Sequence, residues 1–367
     1  MLVGLVEFPV RKLFSSAGVT INGDNPWDIE VNDDRFYRDV LFRGSLGLGE
    51  SYLREYWRAA DLEELFFRLT SSNLEQISKR LPTQLVNSSV SRLSNRQTPS
   101  RALSNAEHHY NLGNDLFFEF LGRYKNYSCG YFRDTDSLDE AQLAKMRRLC
   151  DLLELEEGDS LLDVGGGWGE FARFAAENRG CHVTSVNISD SQIRHAREYC
   201  RDANVDVVRS DYRDLRGRFS KIAVIAMFTH VGPKNYRRFM QTMHRLLQAG
   251  GRMVMETVGA LTATERCEPW TDKYIFPGGI IPSPQQIESA CAGLFRLRIV
   301  EEFGADYVIT LRHWHRNFMA AWPRLSQRYS ETTRRMFEYY LLSVAGAFRS
   351  SDLLHYHLEF DRIDGNG

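Results

Sequence analysis

The chain has 367 residues, and its 46 basic and 48 acidic side chains leave a net charge of −2. With 43% hydrophobic and 26% charged residues it has the composition of a globular protein, which excludes a disordered or collagen-like chain and argues against bulk electrostatic binding of nucleic acid. The length suits one large domain, or two with a small one attached. Cys129, Cys150, Cys181, Cys200, Cys267 and Cys291 are too sparse for a disulfide scaffold and show no zinc spacing, so reduced thiols in a cytoplasm and no metal are expected.

Residues 1–80 read as a small helical domain. MLVGLVEFPVRKLF begins apolar but is interrupted by Glu7, and it lacks the basic start and small-residue cleavage site of a signal peptide, so an amphipathic helix is expected. No apolar run approaches the roughly 18 residues of a membrane span. EVNDDRFYRDVLFRGSLGLGESYLREYW has helical spacing broken by Gly44, Gly47 and Gly49, and ADLEELFFRLT continues as another amphipathic helix. Residues 81–106 carry Pro82 and Pro99, with Arg92, Arg96 and Arg101 and no acid. They read as a linker, or equally as a basic contact for anionic phospholipid heads.

From residue 107 the pattern becomes α/β. DSLDEAQLAKMRRLCDLLEL is an amphipathic helix, and SLLDV, HVTSVNIS, VDVVRSD, KIAVIAMF and RMVMETVG are strands separated by helices, the last helix running from Lys234 to Leu247. Such alternation implies a parallel sheet covered on both faces, with ligands bound beyond the carboxyl ends of its strands. There lies DVGGGWG, with Asp163, Gly165, Gly167 and Gly169. Glycines let the backbone approach a ligand closely, and the helix start offers free N–H groups. The spacing is not that of a dinucleotide loop. The second strand ends in Asn187, not an acid for a ribose, and the third in Ser210-Asp211-Tyr212, where an acid suits an adenine amino group. The ensemble suits S-adenosylmethionine.

YNLGNDLFFEFLG, YSCGYF, LDVGGGWG, SDYRDL, HVGPKNY, KYIFPGG, FGADY and AAWP, in this order, resemble the cyclopropane-fatty-acyl-phospholipid synthases and, over the catalytic half, the mycolic acid cyclopropane synthases. INGDNPWDIEV and GSLGLGESY extend the resemblance over nearly the whole chain. It implies a Rossmann-like S-adenosylmethionine-dependent methyltransferase domain over 107–367 and an N-terminal domain that engages lipid. The implied reaction is methyl transfer to a cis double bond of an acyl chain, loss of a proton and ring closure. The resemblance further implies a homodimer, peripheral to the inner face of the membrane. Tyr127, Ser128, the loop Gly165 to Gly169, Asn187, Gln192 and the pair Asp211-Tyr212 are the implied cofactor contacts.

The resemblance also implies a bound bicarbonate that removes the proton. Cys129 and Tyr307 match its ligands. Thr229 stands where a Glu is expected, Glu256 where a His is common, and Val344 replaces a Cys in the late helix. Whether bicarbonate binds is therefore left open. The two site changes look coupled, one carboxylate lost and another gained on the neighbouring strand, and Glu256 is expected to act as general base or as the charge that stabilises the cation. The simpler reading of Glu256 is a solvated carboxylate at a strand end. His230 is read equally as structural or catalytic, and Tyr131 and Phe132 as aromatic faces for a cation or as plain core. A small-molecule methyltransferase and a non-catalytic lipid-binding protein are the alternatives.

Overall fold

A computed structural model describes residues 2–72, 113–264 and 266–364, so Arg92, Arg96 and Arg101 lie outside the described residues. In chain order the elements begin with α1 (Leu2–Ser15), β1 (Glu30–Val31), α2 (Arg35–Leu53), β2 (Trp57–Arg58) and α3 (Leu62–Ser71). Then come α4 (Asn114–Phe120), α5 (Leu138–Leu152), β3 (Ser160–Val164), α6 (Glu170–Arg179), β4 (His182–Asn187), α7 (Asp190–Tyr199), β5 (Val205–Arg209), β6 (Phe219–Ile225), α8 (Tyr236–Leu246) and β7 (Leu247–Ala260). The remainder is α9 (Pro269–Tyr274), α10 (Pro284–Cys291), β8 (Phe295–Glu302), α11 (Gly304–Leu325), α12 (Glu331–Arg349) and β9 (Leu353–Arg362). The described residues form two compact units: those within Met1–Ser94 with Arg266–Pro277 and Tyr307–Leu353, and those within Asn95–Glu265 with Gly278–Asp306 and Leu354–Gly367.

In the first unit one of the three glycines expected to break α2 does so. The break is real at Gly44, whose φ of 56° and ψ of −132° make a kink between two helical stretches, while Gly47 and Gly49 stay helical. Gly49 is there for contact: a Cβ on it would lie 2.2 Å from the Trp270 ring of α9. Trp270 in turn packs on Tyr339 of α12 at 4.4 Å between ring centroids, and Tyr339 on Phe66 of α3 at 5.0 Å. Glu50 joins the same elements by charge. Its carboxylate receives Arg43, Arg54 and Lys273 at 2.6, 3.1 and 2.7 Å, with the side chain 3% exposed.

The second unit is built on a seven-stranded sheet of order β5-β4-β3-β6-β7-β9-β8. The strands from β3 to β7 that pair directly are parallel, and β8 is antiparallel to β9. Side chains alternate between the two faces of a strand, and here both faces are filled. Leu162, Val164, Ile222, Val224, Met253, Met255, Leu354, Tyr356 and Leu358 pack against α8 and α10. Leu161, Val183, Ala223 and Val254 pack against α5 and α6. Period two then places Asp163, Ser185, Glu256, His355 and His357 on the α5 face, at or beyond the point where apolar packing gives out. The expected strand and helix order is observed throughout, with RMVMETVG embedded in the longer β7.

Burial alone would raise the pKa of Glu50, but hydrogen bonds from Lys273 and Arg43 outweigh it and hold the group at about 2. A carboxylate depressed in the folded state contributes stability above its unfolded pKa near 4.3 and loses it as pH falls toward 2. Glu50→Gln is therefore expected to lower stability by about 1–3 kcal/mol at neutral pH, with the difference from the parent chain shrinking on acidification. Denaturant titrations at several pH values check this.

Candidate active site

The glycine loop follows β3 at the carboxyl edge of the sheet. Gly165, Gly167 and Gly169 have φ of 88°, 54° and 96°, the left-handed region that favours glycine. Gly166 and Gly167 have opposite surroundings. A Cβ on Gly166 would lie 1.8 Å from Ser185 Oγ and 2.6 Å from Asp163 Oδ2, whereas one on Gly167 would meet no atom within 4 Å. Gly166 thus seats the loop on the sheet while Gly167 faces open space. Asp163 lies beneath the loop, almost fully buried, accepting a hydrogen bond from Ser185 Oγ at 3.1 Å. Burial raises its pKa to about 7, only partly offset by that bond.

Asn187, the last residue of β4, ties the loop to the next helix. Its Nδ2 donates to Gly167 O at 3.3 Å and to Gln192 Oε1 at 2.9 Å, while its Oδ1 accepts from the N–H groups of Ile188 and Ser189. Asp211 follows β5, and Arg213 engages both of its oxygens, at 2.7 and 2.6 Å. Burial would raise the Asp211 pKa, but Arg213 holds it below the ordinary value. Tyr212 is buried against Phe239 at 5.0 Å, and Tyr127 lies edge-on to Phe117 at 5.3 Å. Glycines, hydrogen-bonding side chains and an acid after three successive strands fit a nucleoside bearing a small charged group.

Beside this cradle lies a buried charge cluster. Glu256 on β7 has no exposed surface, which rules out a solvated carboxylate. It is level with Ile225 on β6, one residue beyond the register that carries Val164. His355 Nε2 lies 3.2 Å from its Oε1, and His357 Nε2 lies 3.5 Å from its Oε2. Lys145 of α5 is 1% exposed and donates from Nζ to Ser128 Oγ at 2.5 Å. Gln142, one turn earlier, donates to Ser128 O at 2.9 Å. Cys129 follows, fully buried. Burial pushes the Glu256 pKa up, but the charge of Lys145 and the two imidazoles outweigh it, so the group stays a carboxylate. Burial lowers the pKa of Lys145 and of His355.

Thr229 and His230 lie in the helical turn Phe228–His230 after β6, with Thr229 O accepting from Ile280 N at 2.8 Å. His230 is an exposed residue. Tyr307 belongs to the first unit, stacked on Phe348 at 4.6 Å. The structure therefore brings Ser128, Cys129 and Glu256 together through Lys145, and gathers the loop with Asn187 and Gln192. Lys145, His355, His357 and Glu301 were not expected from sequence. The two histidines left a readable trace in LLHYHLEF, where alternate positions of an apolar strand share one face.

The mycolic acid cyclopropane synthetase family model matches residues 97–358. The chain belongs to that family. It is 40% identical over 357 residues to the cyclopropane-fatty-acyl-phospholipid synthase of Escherichia coli (strain K12), covering 97% of this chain and 94% of that one. It is 32% identical to the tuberculostearic acid methyltransferase UfaA1 of Mycobacterium tuberculosis, over 95% and 86% of the two chains. Among solved structures, the mycolic acid cyclopropane synthase CmaA1 complexed with SAH and CTAB superposes with a TM-score of 0.67 at 28% identity, over 71% of this chain and 98% of that one. The fold is that of S-adenosylmethionine-dependent methyltransferases, and the glycine cradle fits that donor.

The two loop glycines separate folding from binding. Gly166→Ala is expected to destabilise by about 1–3 kcal/mol through overpacking. Gly167→Leu is expected to fold, at a cost of about 1–2 kcal/mol for its left-handed backbone, and to lose S-adenosylmethionine binding because its side chain fills the open side of the loop. Thermal melts and calorimetric titration of both variants check the split.

Proposed function

We propose that the protein transfers a methyl or methylene carbon from S-adenosylmethionine to the double bond of an unsaturated fatty acyl chain of a phospholipid, forming a cyclopropane or a branched chain. The observation that carries this reading is 40% identity to a phospholipid-modifying synthase across 97% of the chain, joined to a glycine cradle that fits the methyl donor. The donor supplies an electrophilic methyl group. The protein's own part follows from the weakness of the other reactant. An alkene is a poor nucleophile, and the product of its attack is a carbocation that water would capture. The site must be dry, and it must hold a negative charge in place before the cation forms.

Glu256 meets both needs. Its carboxylate is closed to solvent and held ionised chiefly by the charge of Lys145 and the hydrogen bond with His355. A carbocation beside it gains far more from that charge than it would in water. The cation is also a very strong acid, so a carboxylate of depressed pKa is basic enough to take its proton. A separate bicarbonate fits this site poorly. Glu256 already places a carboxylate there, a second anion would be repelled by it, and Thr229 offers no acceptor as strong as a Glu. We assign the proton acceptor to Glu256, with Cys129 as a neighbouring group around the Lys145 amine and Thr229 as a further candidate.

We further propose that the protein meets its acyl substrate at a membrane surface, and that it does so as a homodimer. Among the described residues no helix is long and apolar enough to cross a membrane. Support for surface binding comes from the basic run Arg92, Arg96 and Arg101. Anionic vesicles are expected to sediment the protein, less so as salt rises; equal sedimentation with neutral vesicles reduces the run to a linker.

Expression in a bacterium lacking its own synthase is expected to add one CH2 to unsaturated acyl chains, read by mass spectrometry of the fatty acids. An unchanged fatty-acid profile would sink the assignment. Glu256→Gln is expected to lower turnover by about 10²–10⁴-fold with donor binding retained, and turnover of the parent chain is expected to ignore added bicarbonate. A fully active Gln variant, or a bicarbonate requirement, removes Glu256 from the chemistry.

A further inference from the structure

A buried base raises a second problem, which is where its proton goes. Glu256 has no solvent-exposed surface, and neither has His357. Beyond His357 stands Glu301 on β8, whose side chain is 19% exposed. The three are in line. Glu256 Oε2 is 3.5 Å from His357 Nε2, and His357 Nδ1 is 3.0 Å from Glu301 Oε1. The alignment depends on a bulge. Ile299 of β8 pairs with Leu358, yet Glu301 pairs with His357, so two β8 residues are spent on one step of β9 and Glu301 comes to the face that carries His357.

The hydrogen bonds in this line are uneven. Glu301 Oε2 accepts from Tyr131 OH at 2.8 Å, and Oε1 accepts from Arg148 Nε at 3.0 Å. On the inner side, Glu256 Oε2 and His357 Nε2 are both buried with no hydrogen-bond partner among the described residues. His355 already occupies Oε1, so the oxygen left for a proton is the one that faces His357. Closing the 3.5 Å gap to hydrogen-bond length takes a shift of about 0.5 Å, and such contacts commonly tighten once substrate is bound.

We propose that His357 and Glu301 form the exit for the proton removed from the substrate, carrying it from Glu256 to the protein surface. The proposal rests on the reading of Glu256 as the proton acceptor. His357 touches neither substrate nor donor and acts through Glu256. Neutral His357 donates its Nδ1–H to Glu301 and keeps the Nε2 lone pair toward Glu256. The proton taken on Glu256 Oε2 passes to Nε2, which restores the carboxylate and leaves an imidazolium between two carboxylates. That imidazolium releases a proton through Glu301 to water, and tautomer exchange returns the ring to its starting form. One proton leaves the substrate and one enters solvent.

The relay requires His357 neutral at the start, so turnover rises with pH through its pKa. Burial lowers that pKa, but contacts with Glu256 and Glu301 outweigh burial and raise it above the ordinary 6.5. The charged and titratable groups around it are Glu256 from β7, Glu301 from β8, His355 and the Arg298-paired Glu359 on its own strand, Lys145 and Arg148 from α5, and Tyr131 and Arg133 from the segment before α5. Removing the carboxylate of Glu301 lowers the His357 pKa; removing the cation of Arg148, which partly neutralises Glu301, raises it.

The test is the pH dependence of kcat at saturating donor and phospholipid vesicles, with donor binding by calorimetry confirming that each variant is folded. The parent chain is expected to show a rising limb above pH 6.5, the ordinary value of the group. Glu301→Gln is expected to move it down by about one unit, and Arg148→Gln to move it up. Opposite shifts from two partly exposed positions cannot come from a shared loss of folding, and if one variant does not fold the other still decides. A limb that stays put in the folded variants overturns the relay while leaving Glu256 as the acceptor. A fully active Glu256→Gln chain overturns both.

Discussion

A carboxylate without water is the constraint around which the second unit is arranged. An ionised group as closed as Glu256 costs several kcal/mol in desolvation unless partners replace its hydration. Those partners come from far along the chain: Lys145 from α5, His355 and His357 from β9. They meet because alternation on β7 and β9 sends Glu256 and the two histidines to the face against α5, while Met253, Met255, Tyr356 and Leu358 fill the opposite face. A slip of one residue in either strand would send the charges into the apolar layer under α8. The register of the central sheet and the charge state of the site are thus one requirement.

The cradle and the cluster divide the chemistry between backbone and side chains. At Gly166 and Gly167 the loop works through the absence of atoms, close to the sheet on one side and open on the other. A methyl donor held that way is placed without groups that would attack it. In the proposed reaction the cluster would work through charge that is fixed before the cation appears, so little reorganisation would be needed. Lys145 bridges the two parts, since its amine is bonded to Ser128, beside the Tyr127 and Cys129 of the same motif.

Local signals were readable in the sequence, and relations across the sheet were not. β3, α6, β4, α7 and β5 stand where apolar runs and turn residues put them, because each is decided within a few residues. The glycine loop is legible for the same reason. Of the three glycines in α2, Gly44 interrupts the helix as its low propensity predicts, and Gly47 and Gly49 do not. In the structure Gly49 gives Trp270 room to approach, a benefit that appears only in the packed unit. The packing of Asp163 beneath the loop, on Ser185, is a relation between strands that no local spacing shows. Glu256 was readable as a site candidate only by resemblance, and its partners lie on other elements. Glu301 was the least legible, since its alignment depends on a bulge that no spacing in FRLRIVEE announces.

The exchange at Thr229 and Glu256 follows from the same charge logic. Both residues sit at the carboxyl edge of adjacent strands, Thr229 just past β6 and Glu256 on β7 opposite the end of β6. A Glu in place of Thr229 would set a second carboxylate near one that is already buried. Two such groups in a dry site do not both stay ionised, and the shared proton would cost Glu256 its charge. With Thr229 the site keeps a single anion, and Lys145, His355 and His357 serve that one group. On the proposed reading, a Thr at 229 is what lets the neighbouring strand carry the carboxylate, and the two residues act as a unit whose charge is set by the protein.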